Sequence, residues 1–250
     1  MCTSENPLVL VHQNVRRIIR LISKIEELQE LISSDKIYPH TLCFSEYHMT
    51  RNDVHSVGLE KYVLASSLSR SIFQKGGVCI YVHNYVCFNH LDFSNYCTDK
   101  ILEICAVQIE TTEKQMIVIR VYRSQPGDFN NFLRLLDMAF MSLNKPPMQI
   151  LICGDFNVDY LSRCNHKQKL SLLLGAYTMM HTVDFPTKFQ NGHSSAIDSI
   201  FLDKSRMQSY VIFPLSNALS DHEAQCTILI NFFLETKAKN SKYKINLKSD

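Results

Sequence analysis

The residues best suited to chemistry are acids, amides and a histidine standing at the ends of apolar runs. Leu151-Ile152-Cys153-Gly154-Asp155-Phe156-Asn157 drives a strand-like run into Gly154, where the backbone is free to turn, and then presents Asp155 and Asn157. Two positions apart in an extended chain, these side chains project to one side. The carboxylate can orient or deprotonate a water, and the amide can donate to a developing anion. Taken alone, the same pair is also what an ordinary Asx turn looks like.

Glu46 follows Thr41-Leu42-Cys43-Phe44-Ser45 on the face of Leu42 and Phe44, at the rim of a buried surface. Such a hard oxygen ligand suits a Mg²⁺ that keeps several waters, although an exposed strand-end acid has the same appearance. Asp198, inside Ala196-Ile197-Asp198-Ser199-Ile200-Phe201-Leu202, shares strand parity with Ile200 and Leu202. A carboxylate buried there needs a donor. Ser220-Asp221-His222 supplies one, because an aspartate on an imidazole fixes its tautomer and raises its basicity. Asp221 points elsewhere and is free to hold a metal-bound water.

Strands must carry these groups. Apolar runs predict them at Leu8–Gln13, Thr41–Ser45, Tyr62–Ser66, Val78–His83, Ile101–Ile109, Gln115–Tyr122, Gln149–Cys153, Ala196–Leu202, Tyr210–Phe213 and Ala224–Phe233. Helical periodicity runs from Val15 to Ile32, with its basic residues first and acidic residues last, against the helix dipole. Further helices are expected at Phe129–Leu143, capped by Asp128 and stopped by Pro146-Pro147, and at His166–Leu174. Many strands interleaved with few helices point to one α/β domain over residues 1–234, with stacked sheets and helices outside.

Composition narrows the chemistry. The chain has 250 residues, 46% hydrophobic and 20% charged, which is globular. Seven glycines form neither G-x-G-x-x-G nor a Walker pattern, so no nucleotide cofactor is expected. Nine cysteines without a C-x-x-C pair read as apolar thiols of a reducing, intracellular compartment. No apolar stretch approaches the roughly 20 residues of a membrane span. The net charge is +2, of which residues 235–250 carry +3, leaving −1 for the body. That tail reads as a basic, disordered linker, either solubilising or touching nucleic acid.

In order along the chain, Asn14, Glu46, Tyr122, Gly154-Asp155-Phe156-Asn157, Ser195-Ala196-Ile197-Asp198 and Ser220-Asp221-His222 resemble the motifs of the endonuclease/exonuclease/phosphatase superfamily. His12-Gln13-Asn14-Val15-Arg16, Leu42-Cys43-Phe44-Ser45-Glu46, Gly76-Gly77-Val78-Cys79-Ile80-Tyr81-Val82 and Ser220-Asp221-His222-Glu223-Ala224-Gln225 look like the apurinic-endonuclease-like domain of non-LTR, jockey-like retrotransposon polyproteins. The resemblance spans about residues 8–234. It implies a DNase I-like four-layer α/β sandwich, two packed mixed β-sheets flanked by helices. It also implies a Mg²⁺-dependent (or Mn²⁺-dependent) endonuclease that nicks double-stranded DNA, leaving the 3′-OH that primes reverse transcription, and that works in the nucleus when acting on DNA. Other phosphodiesterases or phosphatases of the superfamily, and an inactive nucleic-acid module, are the alternatives.

By the same resemblance Glu46 is the main metal ligand, with Asn14 and Asp221 as partners. Asp155 orients or deprotonates the water, Asn157 and Tyr122 hold the phosphate, and His222, oriented by Asp198, stabilises the transition state. The loop Phe185–His193 is expected to place Thr187 and Lys188 on DNA phosphates, and Arg123 is expected to do the same. The chain departs from the pattern at Arg16, where related apurinic endonucleases carry an acid or amide. It also contains no Tyr-x-Asp-Asp-like motif of a reverse transcriptase, so the resemblance is to the endonuclease portion alone.

Overall fold

A computed structural model describes residues 7–16, 27, 30, 37–48, 58–70, 76–110, 115–143, 148–216, 219–230 and 232. One six-stranded sheet has the order β13-β14-β1-β2-β4-β3: β1 Leu8–Asn14, β2 Thr41–Ser45, β3 Tyr62–Leu68, β4 Val78–His83, β13 Tyr210–Leu215 and β14 Ala224–Leu229. The other has the order β5-β6-β7-β8-β12-β9: β5 Phe88–Leu91, β6 Glu103–Ile109, β7 Met116–Tyr122, β8 Gln149–Asp155, β9 Met179–His181 and β12 Asp198–Asp203. Each sheet is antiparallel except for one central parallel pair, β1 with β2 and β7 with β8. Both are therefore mixed, as expected.

Strand alternation builds the layers. Leu8, Leu10, Cys43, Ile80, Val118, Leu151, Cys153, Ile200 and Leu202 meet between the sheets. The opposite face of the second sheet, with Ile117, Ile119, Val121, Ile152 and Phe201, is covered by α1 (Phe129–Ser142) and α2 (Asn165–Ala176) through Phe132, Leu136, Phe140, Leu170 and Leu174. Asp128 caps α1, its Oδ1 accepting from Asn131 N at 2.6 Å, a contact worth about 1 kcal/mol. The outer face of the first sheet gathers Val9, Val11, Leu42, Phe44 and Tyr81. Glu27 and Glu30 are helical and exposed, while Val15 and Arg16 are not helical; the rest of the expected Val15–Ile32 helix lies outside the described residues. So do Pro146-Pro147 and the tail 235–250. No helix among the described residues is long and apolar enough to cross a membrane.

Two expectations change. Gly154 does not turn the chain: it lies within β8, and a Cβ there would stand 2.3 Å from the Val121 carbonyl oxygen. Glycine is needed for close approach of β7 and β8, and the turn comes at Asn157 (φ 50°). The stretch Phe185–His193 is not a plain loop. It builds the hairpin β10 (Lys188–Gln190) and β11 (His193–Ser195), bound to the last motif by Phe189 N to Asp221 O (3.0 Å) and Glu223 N to Thr187 O (2.8 Å).

Candidate active site

The two parallel pairs end on the same side, and their last residues face each other. Across β6, β7, β8 and β12 the register sets Glu103 beside Tyr122, Tyr122 beside Asp155, and Asp155 beside Asp198. From the other sheet come Asn14, at the end of β1, and Glu46, just past β2. Asn14 joins the halves: its Nδ2 donates to Glu46 Oε1 (2.9 Å) and to Asp155 Oδ2 (2.8 Å). Arg120, fully buried between the sheets, adds a bond from Nη2 to Gln13 O at 3.4 Å.

The inner end of the site is dry. His222 Nδ1 lies 2.7 Å from Asp198 Oδ2, and since a carboxylate only accepts, that nitrogen carries the proton. Thr187 donates Oγ1 to the same Asp198 oxygen at 3.1 Å, and accepts from Ile197 N and Asp198 N, each at 3.1 Å. Burial opposes the imidazolium of His222, but the charge and hydrogen bond of Asp198, with help from Asp155, raise its pKa above the usual value. Its Nε2 is buried without a hydrogen-bond partner among the described residues. Burial, and then the charge of Asp198, push Asp155 up to about 7.

The outer end is wetter. Arg16, Glu46, Tyr122, Asp155, Asn157 and Lys188 line a cleft of about 210 Å³ with Ser124, Gln125 and Pro126. Burial raises the Glu46 carboxyl, but hydrogen bonds from His48 and Asn14, and the charges of His48 and Arg16, outweigh it and hold it at about 2. Arg16 Nη1 pairs with Asp221 Oδ2 at 2.7 Å. Arg16, Glu46, His48 and Asn157 all have left-handed backbone (φ 36°, 51°, 52° and 50°), a strain of about 1 kcal/mol or more each, concentrated at this site.

Asp155, Asp198, His222, Glu46, Tyr122, Asn157 and Lys188 thus converge, and several assignments change. Arg123 is buried: its guanidinium donates to Phe156 O (2.7 Å), Asn157 O (2.9 Å) and Ser124 O (3.3 Å) and lies over Phe129 and Phe132, so it clamps the loop after β8 and does not face a phosphate. Thr187 is buried behind Asp198 and holds that carboxylate in place of a phosphate. Asn14 turns its nitrogen to both carboxylates while its Oδ1 accepts from Arg16 N at 3.1 Å, so it spaces the acids and keeps one lone pair of that oxygen. Asp221 is engaged by Arg16. Asn157 Nδ2 donates to Arg123 O (2.6 Å), leaving its second amide hydrogen for a phosphate, and its N–H bonds Asp155 Oδ1 (2.9 Å), so the Asx turn and the site coexist.

Sequence reasoning missed the support beneath Tyr122. Arg70 and Glu103 form a buried ion pair, Arg70 Nη2 donates to Ser124 Oγ (2.7 Å), and its Cζ lies 5.7 Å from the Tyr122 ring centre. The signal was Glu103 opening a strand whose next four residues, Ile104 to Val107, are apolar. Asp155, Asp198 and His222 also bring one potential ligand atom each within 4.8 Å of one another. His222 Nδ1 and Asp198 Oδ2 are spent on each other, while Asp198 Oδ1 and His222 Nε2 are buried without hydrogen-bond partners among the described residues; Glu46 is the carboxylate that opens onto the wetter part of the cleft, where a hydrated cation fits.

Residues 116–226 match the model of a family described as endonuclease-reverse transcriptase, a stretch that holds Tyr122, Asp155, Asn157, Asp198 and His222. The chain has the DNase I-like fold. Similar solved structures include the endonuclease domain of TRAS1, a telomere-specific non-LTR retrotransposon, at 16% identity and TM-score 0.70 over 90% of this chain and 98% of that one. An AP endonuclease from Archaeoglobus fulgidus aligns at 15% identity and TM-score 0.62 over 89% and 99%. D. rerio TDP2 complexed with single-strand DNA product aligns at 12% identity and TM-score 0.61 over 89% and 98%. No curated protein sequence matches the chain. Family match and fold together support a nuclease.

Proposed function

We propose that the protein is a divalent-metal-dependent DNA endonuclease that hydrolyses one strand of a duplex and leaves a 3′-OH for a reverse transcriptase to extend, acting in the nucleus. The observation that carries this reading is the Asp198–His222 pair set behind Asp155, with Glu46 across the same cleft. Asp155, with a pKa near neutrality, orients the attacking water and takes its proton. His222, held by Asp198, which Thr187 fixes in turn, acts as the imidazolium that Asp198 favours and donates Nε2–H to the phosphate oxygen on which negative charge grows. Tyr122 and Asn157 hold the phosphate, and Lys188 reaches its neighbour on the strand. Glu46, ionised and open to the cleft with the Asp155 oxygens nearby, fits a hard cation such as Mg²⁺, with Mn²⁺ able to replace it. When bound, that cation would neutralise charge on the phosphate and leaving oxygen.

Little covalent chemistry falls to the side chains, so fixed geometry and charge must lower most of the barrier. Purified protein with Mg²⁺ should convert supercoiled plasmid to nicked circles, stop when chelator is added, and fail in Asp155→Ala and His222→Ala proteins that keep the folded spectrum. Supercoiled plasmid left intact by the wild type would defeat the reading.

A further inference from the structure

Arg16 occupies the outer end of the cleft in a way that bears on how this site gathers positive charge. Its backbone is left-handed (φ 36°), closed by its own N–H onto Asn14 Oδ1 at 3.1 Å. Its Nη1 reaches Asp221 Oδ2 at 2.7 Å, and the side chain, 40% exposed, borders the same cleft as Glu46, Asp155 and Lys188. One residue therefore bonds an oxygen of Asn14 and an oxygen of Asp221, and sets its positive charge between the two side chains that a cation seated there would need. A guanidinium has five N–H donors in a fixed fork. With Nη1 on Asp221, donors remain for the cleft, where phosphate oxygens are good acceptors.

We propose that Arg16 is the built-in second cation of this site: steadied by Asp221, it contacts a non-bridging oxygen of the scissile phosphodiester and takes the ligand positions that a second divalent ion would require. The inference rests on the endonuclease reading. The consequence is a one-metal site, with the ion at Glu46 and a covalently attached charge opposite, always present and independent of metal concentration. It also makes Arg16 a catalytic residue that touches substrate, with Asp221 positioning it.

Two measurements on the full chain test this. Mn²⁺ titration followed by electron paramagnetic resonance, without DNA, should give one tight site in the wild type and two in Arg16→Asp, which restores an oxygen ligand beside Asn14 and Asp221. Two tight sites in the wild type, or one in a folded Arg16→Asp protein, overturn the exclusion of a second ion. In single-turnover nicking at saturating Mg²⁺, Arg16→Ala should be slower by about 100- to 1,000-fold, the usual cost of one fixed donor to a developing anion. Arg16→Lys should recover only part of that loss, since it keeps charge without the fork. A wild-type rate in Arg16→Ala overturns the phosphate contact while leaving the endonuclease reading intact. If the wild type itself fails to nick DNA, that reading falls, and the Mn²⁺ count still decides whether Arg16 keeps a second ion out.

Discussion

The two ends of the cleft solve opposite problems. At the inner end Asp155, Asp198, Thr187 and His222 are almost wholly buried, Thr187, Asp198 and His222 are bonded in series, and the protonation of Asp155 and His222 is set by neighbours. At the outer end Glu46, Arg16, Asp221 and Lys188 are in partial contact with water, and their charges remain available to an incoming anion or cation. Buried groups of this kind tune proton transfer, because desolvation and close charges shift pKa values strongly. Part-exposed groups bind and steer, and salt screens them. Asn14 ties the ends together through its bonds to Glu46 and Asp155.

Changes at the inner end should have the largest effects. Asp155→Asn should slow nicking by about 1,000-fold or more, by loss of the general base. It should also affect stability in the opposite sense. With its folded pKa at about 7 against an ordinary value of 3.8, this carboxyl holds extra protons in the folded state between those limits. The stability it contributes is full below about pH 4 and lost as pH rises through 7. Metal-free Asp155→Asn protein should therefore melt above wild type at pH 8 and converge with it near pH 4 in a thermal scan. An equal gap at both pH values would contradict the buried-proton account.

Asp198→Asn comes next, at about 100- to 1,000-fold in rate, because His222 loses its orientation. Asp198 also raises the His222 pKa, so the alkaline fall in activity should begin at lower pH in this variant. An unshifted pH profile would make Asp198 merely structural. Arg123→Ala should cost about 2–3 kcal/mol in urea unfolding, as a buried charge bonded to three carbonyls, and leave the salt dependence of DNA binding unchanged. Lys188→Ala is the converse and the smallest. It should leave stability alone, weaken DNA binding a few-fold, and reduce the slope of log K against log salt by about 1.

Much of the inner end was legible in the sequence. Carboxylates such as Asp155 and Asp198 interrupt apolar strands, and strand parity sends each to the face shared with Cys153 or Ile200, between the sheets. The same rule, applied one residue past Tyr122, already sends Arg123 to the helix side among Phe129 and Phe132; adjacency to Tyr122 was the wrong guide. Thr187 could not be read, because its burial depends on a hairpin folding back over Asp198. The outer end was harder. Glu46 leaves strand parity through a left-handed backbone with no glycine to announce it, and Arg16 does the same beside Asn14. Strands β5, β9, β10 and β11 were too short and polar to stand out, and acquire their regularity from neighbours in the sheet or hairpin.

The central claim is hydrolysis of one DNA strand with release of a 3′-OH. An end-labelled duplex cut by the protein in Mg²⁺, then given a DNA polymerase and nucleotides, tests it most directly. The account predicts single-strand breaks whose 3′ ends are extended at once, absent with His222→Ala. Ends extended only after treatment with a 3′-phosphatase, or a duplex left whole, would contradict it.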